Sequence, residues 1–274
     1  MESGKKQRQH HHFVLVHGFG HGAWCWYKVA TALSSAGHRV TALDMTACGA
    51  SPARAEEVAS FEEYSRPLLD TVAALPPGEQ AVLVGHSFGG LSLALAMERY
   101  PDSVAVAVFA SAAMPAVGKP MTFVLEEFSQ ETGPDFYMDC TFGASTNPQY
   151  PVETLLLGPE YLATRLYQLS PPEDLTLAMA MVRPSQRFQD DVVLKGNVLT
   201  AEGYGAVKRV CVVAEDDASW SADFQRRMAW WNPGAEMRGL QGADHMLMLS
   251  KPRELSELLV EVADRYCREA HTHT

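Results

Sequence analysis

Ala81-Val82-Leu83-Val84-Gly85-His86-Ser87-Phe88-Gly89-Gly90 is the stretch on which the fold turns. An apolar run enters a Gly-x-Ser-x-Gly turn and passes straight into a segment with Leu93, Leu95, Ala96 and Met97 at helical spacing. Strand, sharp turn and helix in that order place a serine on a strained corner. Glycines two residues either side let the neighbouring backbone approach without a Cβ clash. The hydroxyl then projects from the carboxyl edge of a sheet, beside a helix N-terminus whose dipole favours developing negative charge. Ser87 is therefore read as a nucleophile.

Outward from this turn, short apolar runs alternate with helix-period segments. Phe13–Val16, Arg39–Leu43, Val82–Val84, Val104–Phe109, Val210–Ala214 and Glu236–Arg238 read as strands. Trp24–Ala36, Phe61–Leu75, Gly89–Tyr100, Ala222–Trp230 and Glu254–Arg268 read as helices. This alternation predicts an α/β chain, with about six strands in a mostly parallel sheet and helices on both faces. Residues 1–12 are too few and too polar to supply a leading hairpin. Between Met114 and about Lys208 the rhythm breaks into prolines, aromatics and helical stretches such as Tyr161–Leu169 and Leu175–Val182. A segment so long is a structure of its own rather than a loop. The expected division is a core of residues 12–113 and 208–268, a largely helical cap of residues 114–207, and flexible termini at 1–11 and 269–274.

Composition narrows the function classes. The 274 residues carry 22 Lys and Arg against 33 Asp and Glu, a net charge of −11, with 47% apolar and 20% charged residues. That suits a soluble enzyme and leaves no basic stripe for nucleic acid. No stretch approaches the ~20 apolar residues that span a bilayer, and the polar, basic Met1–Gln9 lacks the apolar region of a secretory signal. Five scattered cysteines suit reduced thiols in a cytoplasmic compartment. The run His10–His12, with His271 and His273, reads as polar ends rather than a metal site. No metal and no cofactor are expected. Neither nucleic acid nor membrane insertion is expected as a partner, and a homodimer is compatible with the reading.

A serine nucleophile needs an oxyanion hole, a base and an acid. Phe88, just after the serine, supplies one backbone N–H. The turn His17-Gly18-Phe19-Gly20-His21-Gly22 after the first strand supplies the other, assigned to Phe19. His17 and His21 are expected to hydrogen-bond within that turn rather than bind metal. After Ser87 the histidines are His245, His271 and His273, and His245 sits in a loop between the last strand and the last helix, where the base belongs. Glu215-Asp216-Asp217 close the preceding strand, and three adjacent acids cannot all point at one ring. Asp174, Asp190 and Asp191 lie in the cap, and Asp44 reads as structural.

Taken together these pieces resemble the plant methylesterases, grouped with the hydroxynitrile lyases among the α/β hydrolases. The resemblance is carried by His12-Phe13-Val14-Leu15-Val16-His17-Gly18, His21-Gly22-Ala23-Trp24, Leu83-Val84-Gly85-His86-Ser87, Leu166-Tyr167-Gln168, Ser170-Pro171-Pro172-Glu173-Asp174-Leu175 and Gly242-Ala243-Asp244-His245-Met246. It covers about residues 12–268 and is nearest to defence-associated monocot esterases with a similar Asp-Asp-Ala-Ser stretch. It implies the α/β-hydrolase fold and a carboxylesterase with a Ser87, His245 and Asp217 triad, Asp216 being the fallback acid. It further implies small methyl esters as substrates, such as methyl salicylate, methyl jasmonate or methyl indole-3-acetate. A broad aryl or naphthol defence esterase is the alternative. A hydroxynitrile lyase is disfavoured because Gly18 and Met246 stand where such lyases carry Thr and Lys, and a non-turnover hormone receptor is disfavoured by the complete triad. Gly18, His21, Ala113, Tyr137 and Met246 are expected to border the substrate. Ala113, in place of an aromatic, is expected to widen the acyl pocket.

Overall fold

Nine strands occur among the described residues: β1 His12–Val16, β2 Arg39–Leu43, β3 Ala81–Ser87, β4 Val104–Ala112, β5 Thr141–Ala144, β6 Glu153–Leu156, β7 Ser185–Gln186, β8 Arg209–Ala214 and β9 Glu236–Leu240. The helices are α1 Tyr27–Ser35, α2 Phe61–Ala73, α3 Gly89–Arg99, α4 Phe123–Glu131, α5 Pro159–Tyr161, α6 Pro172–Met181, α7 Val192–Lys195, α8 Ala222–Trp230, α9 Leu247–Ser250 and α10 Pro252–Tyr266. The computed structural model describes residues 10–144, 152–196 and 198–267. Six strands form one sheet in the order β2-β1-β3-β4-β8-β9, every pairing parallel. The central strands read as unbroken apolar runs because both faces are covered, and Phe13–Val16 are wholly buried. α1 packs against α10 and α2 against α3, forming separate helical layers.

Local chemistry fixes the helices. Ser60 caps α2 by accepting from the Glu63 N–H at 3.1 Å. Pro67 lies inside that helix and has no N–H for the Glu63 carbonyl four residues back. The Thr46 hydroxyl donates to that carbonyl instead, at 2.8 Å. The expected helix from Trp24 divides into a 3-10 turn, Ala23–Trp26, followed by α1. The final helix starts at Pro252, a residue suited to a first helical turn, and ends at Tyr266.

The described part of the cap is largely helical, as expected, with one addition. β5, β6 and β7 form a three-stranded antiparallel sheet. Strands of two to four residues are too short to show a period, so no alternation marked them in advance. The stretch read as one helix over Tyr161–Leu169 is instead α5 followed by a π turn, Leu162–Leu166. Asp139 starts it, its carboxylate accepting from the N–H groups of Glu160 and Tyr161 at 2.8 and 2.9 Å.

The core also begins earlier than residue 12. His10 Nδ1 bonds the Gly37 carbonyl at 2.6 Å, and His11 is buried with Nε2 2.9 Å from Asp264. The remaining expected flexible ends, 1–9 and 269–274, lie outside the described residues. No described helix is long and apolar enough to cross a membrane.

Candidate active site

β3 runs to Ser87 itself, and α3 begins two residues later. Ser87 has φ 53°, a left-handed conformation that costs a non-glycine residue on the order of 1–2 kcal/mol. The β3–β4 register shifts between His86 and Ser87, and the Ser87 carbonyl accepts from the Ala113 N–H at 2.9 Å. Two glycines make room for the corner. A Cβ on Gly89 would lie 2.5 Å from the His17 carbonyl oxygen. A Cβ on Gly18 would lie 2.7 Å from Ser87 Cβ and 2.8 Å from His86 Nδ1. The β1 loop therefore presses directly on the serine.

His245 Nε2 stands 3.0 Å from Ser87 Oγ, and its Nδ1 stands 2.7 Å from Asp217 Oδ2. With Nδ1–H donating to the carboxylate, Nε2 is left to accept the serine hydroxyl proton. Asp217 is held by further donors. Its Oδ1 accepts from the Ser219 and Trp220 N–H groups, both at 2.8 Å, and its Oδ2 from Ser111 Oγ at 2.5 Å and Gln225 Nε2 at 3.0 Å. The three adjacent acids diverge. Glu215 pairs with Arg226, and Asp216 Oδ2 accepts from the Gly242 N–H at 2.8 Å, supporting the loop that carries His245. Asp44, read as structural, accepts from the Ala23 and Ala50 N–H groups at 2.6 and 3.0 Å.

The glycine-rich loop is hydrogen-bonded almost throughout. The Gly18 carbonyl accepts from His17 Nδ1–H at 2.7 Å and from the His21 N–H at 3.3 Å. The Phe19 carbonyl accepts from His21 Nδ1–H at 2.8 Å, and the Gly20 N–H donates to Ser185 Oγ at 3.2 Å. The Phe19 N–H has no partner among the described residues, and neither has the Phe88 N–H. Backbone donors left free inside a fold await an acceptor. Burial lowers the pKa of His17 and His21 to about 4 and that of His86 well below the usual imidazole range. All three rings are neutral at pH 7, and His86 donates from Nε2 to the His245 carbonyl at 2.9 Å.

Above the serine lies a cavity of about 440 Å³ whose lining includes Phe19, Ser87, Phe88 and His245. Phe128, Phe136, Tyr161 and Trp220 give it aromatic walls, and Leu125, Leu155 and Leu157 give it aliphatic ones. Such a cavity, apolar with a few convergent polar groups, suits a small organic ligand. Of the expected substrate residues, His21 and Tyr137 line it, whereas Gly18, Ala113 and Met246 do not. Gly18 is pressed beneath the serine. Ala113 is fully buried, with its carbonyl packed on Gly90, and its side chain does not border the cavity. Met246 is also fully buried, at the start of α9. Arg187 borders the cavity and is already bound to Glu153 at 3.0 Å. Among the described residues no group of three or more His, Cys, Asp or Glu side chains is placed to hold a metal ion.

Residues 13–258 match the model of the alpha/beta hydrolase family. The chain belongs to the α/β hydrolase family. It is 60% identical to the probable esterase PIR7A of Oryza sativa subsp. indica, over 97% of this chain and 100% of that one. It is 45% identical to methyl jasmonate esterase 1 of Vitis vinifera, over 95% and 99% of the two chains. The crystal structure of polyneuridine aldehyde esterase, a Rauvolfia serpentina protein, superposes with a TM-score of 0.91 at 41% identity, covering 93% of this chain and 100% of that one. The chain is accordingly a hydrolytic enzyme, with plant esterases among its relatives.

Two side chains of this hydrolase escaped the sequence reading. Ser111 follows the expected end of its strand, at Phe109, and its place in an otherwise apolar run was the available signal. Gln225 is fully buried in α8. Its position between Phe224 and Met228 on the apolar face marked it as a polar group in need of a partner. Thr122 and Gln189 also line the cavity, and nothing in their local sequence marked them.

Proposed function

We propose that this hydrolase is a serine carboxylesterase acting on small carboxylic methyl esters. The observation that carries the reading is the run Ser87 Oγ, His245 Nε2–Nδ1, Asp217 Oδ2 at 3.0 and 2.7 Å, opening on a cavity bordered by two residues with free N–H groups. His245 takes the Ser87 proton as the oxygen attacks the ester carbonyl carbon. The Phe19 and Phe88 N–H groups hold the resulting oxyanion, and Asp217 steadies the imidazolium. Collapse breaks the bond to the alcohol, which leaves with the proton from His245. Water then attacks the acyl-serine by the same route and releases the acid and the free serine.

The substrate class follows from the walls. An apolar cavity of about 440 Å³ favours an aromatic or alicyclic acyl group over a charged one. Methyl salicylate, methyl jasmonate and methyl indole-3-acetate are the candidates, the second supported by the likeness to a methyl jasmonate esterase. The lyase alternative loses support at position 18, where a side chain has no space. Five free cysteines favour a cytoplasmic setting.

The test is hydrolysis of these three esters and a p-nitrophenyl ester, with Ser87→Ala as control. The expected result is turnover by the native chain and a fall of at least about 10⁴-fold in the variant. A preference of about a hundredfold in kcat/KM for one hormone ester, roughly 2.7 kcal/mol, marks a dedicated methylesterase. Turnover confined to the activated ester sinks the methyl-ester assignment. Undiminished activity in Ser87→Ala sinks the mechanism.

A further inference from the structure

Four consecutive cap residues reach three loops of the site. The Tyr167 hydroxyl meets His21 Nε2 at 2.8 Å. Gln168 Nε2 donates to the Asp216 carbonyl at 2.7 Å. The Leu169 N–H and the Ser170 hydroxyl both donate to Asp244 Oδ2, at 3.0 and 2.8 Å. One segment thus binds the glycine-rich loop, the loop of the acid and the loop of the base.

We propose that Tyr167-Gln168-Leu169-Ser170 is a positioning clamp for the ester reaction, with Tyr167 acting through His21 to set the Phe19 peptides.

The argument follows the hydrogen bonds outward. Burial holds the Tyr167 pKa well above the usual phenol range, so its hydroxyl keeps its proton, and because the Phe19 carbonyl facing Nδ1 can only accept, that hydroxyl donates to His21 Nε2. His21 then carries its proton on Nδ1, which points at the Phe19 carbonyl at 2.8 Å. That ring cannot change tautomer without losing its bond to the Phe19 carbonyl, and its low pKa, about 4, keeps it neutral. Stacking on Trp24 and Tyr167, with centroids 5.2 and 6.0 Å away, fixes its plane. The same peptide is gripped from its other end by Ser185, through the Gly20 N–H. With both Phe19–Gly20 peptide groups and the Gly18 carbonyl occupied, the Phe19 N–H is the donor left for substrate. An oxyanion donor works by being aimed in advance. Tyr167 does not line the cavity, so its contribution falls on the oxyanion and not on ground-state affinity.

The clamp rests on the esterase reading, and the experiment separates the two. Tyr167→Phe and Ser170→Ala are compared with the native chain and Ser87→Ala on p-nitrophenyl butyrate. Each is also titrated with an aryl trifluoromethyl ketone, which forms an oxyanion on the serine, and with p-nitrophenol as a ground-state competitor. Tyr167→Phe is expected to lower kcat and ketone affinity about tenfold each, a fraction of the loss from deleting an oxyanion donor outright. KM and nitrophenol affinity stay within about twofold. Ser170→Ala, at a half-buried position where the Leu169 N–H still holds Asp244, is expected to lower kcat about threefold with KM unchanged, and it decides alone should Tyr167→Phe fail to fold. Unchanged kcat and ketone affinity in both variants, while Ser87→Ala is inert, overturn the clamp and leave the esterase standing. A Ser87→Ala variant as active as the native chain overturns both.

Discussion

The strands of the sheet core hold five to nine residues and pair in parallel, each laid beside neighbours far away in sequence. Those of the cap hold two to four, pair antiparallel, and are interrupted by turns, a π turn and exposed apolar side chains such as Phe142 and Leu169. The core supplies the proposed reacting atoms: Ser87, His245, Asp217 and the Phe19 and Phe88 N–H groups. The cap supplies most of the walls, through α4, β6 and Tyr161. Chemistry and selection are thereby lodged in different kinds of structure. A regular sheet fixes atoms to tenths of an ångström, whereas an irregular insertion can be reshaped without unpairing it.

The comparison breaks most visibly at the acid. Asp217→Asn is expected to reduce kcat by about 10⁴-fold, since an amide holds the wrong histidine tautomer. Asp216→Asn, one residue away but bonded to the Gly242 backbone, is expected to cost less than about tenfold. Equal losses in steady-state assays, or a reversed order, would move the acid to Asp216.

Acid sharpens the contrast next. Of the ten histidines none lies between Met114 and Lys208, whereas His17, His21 and His86 are buried under the site. Unfolded, these rings take up protons near pH 6.5. Folded, His17 and His21 resist until about 4, and His86 resists further. The stability they supply is complete above pH 6.5 and is lost progressively as pH falls from there toward 4, on the order of 3 kcal/mol for each of His17 and His21. Asp244 runs the other way: burial raises its pKa, so protonation in acid relieves its cost. Urea midpoints are expected to drop steeply from pH 7 to 4.5, and a flat profile would contradict neutral buried rings.

The smallest effect belongs to the cap. Leu155→Ala, in β6, removes wall rather than machinery. Relative kcat/KM is expected to shift about tenfold toward bulkier acyl groups, while the rate of labelling of Ser87 by a fluorophosphonate stays unchanged. A shift in labelling rate as large as that in selectivity would show the two regions to be less separable.

The same division governs what the sequence could convey. The elbow, the six strands and the placing of His245 beside Ser87 were legible because each is a local pattern with a physical cause: an apolar run, a turn that only certain residues allow, a histidine in the right order. The choice of Asp217 as the proposed acid came by resemblance, since geometry among three adjacent acids is set by where the backbone bends, not by their identity. The cap sheet left no period to read. Ala113 and Met246 were misplaced at the cavity because side-chain direction at the end of a strand or the start of a helix depends on packing partners distant in the chain. Ser111 and Gln225, converging on Asp217 from β4 and α8, illustrate the point.

Arg183 sits just before β7 and spreads its guanidinium over the Gly49, Ser51 and Ala53 carbonyls, while its N–H holds the Gly20 carbonyl. Few changes survive at such a rivet, because several backbone acceptors lose their partner together. Leu125, Phe128 and Leu155 carry no comparable duty. Replacing side chains along those walls would change what the protein admits, while the loops that the rivet ties together stay in place.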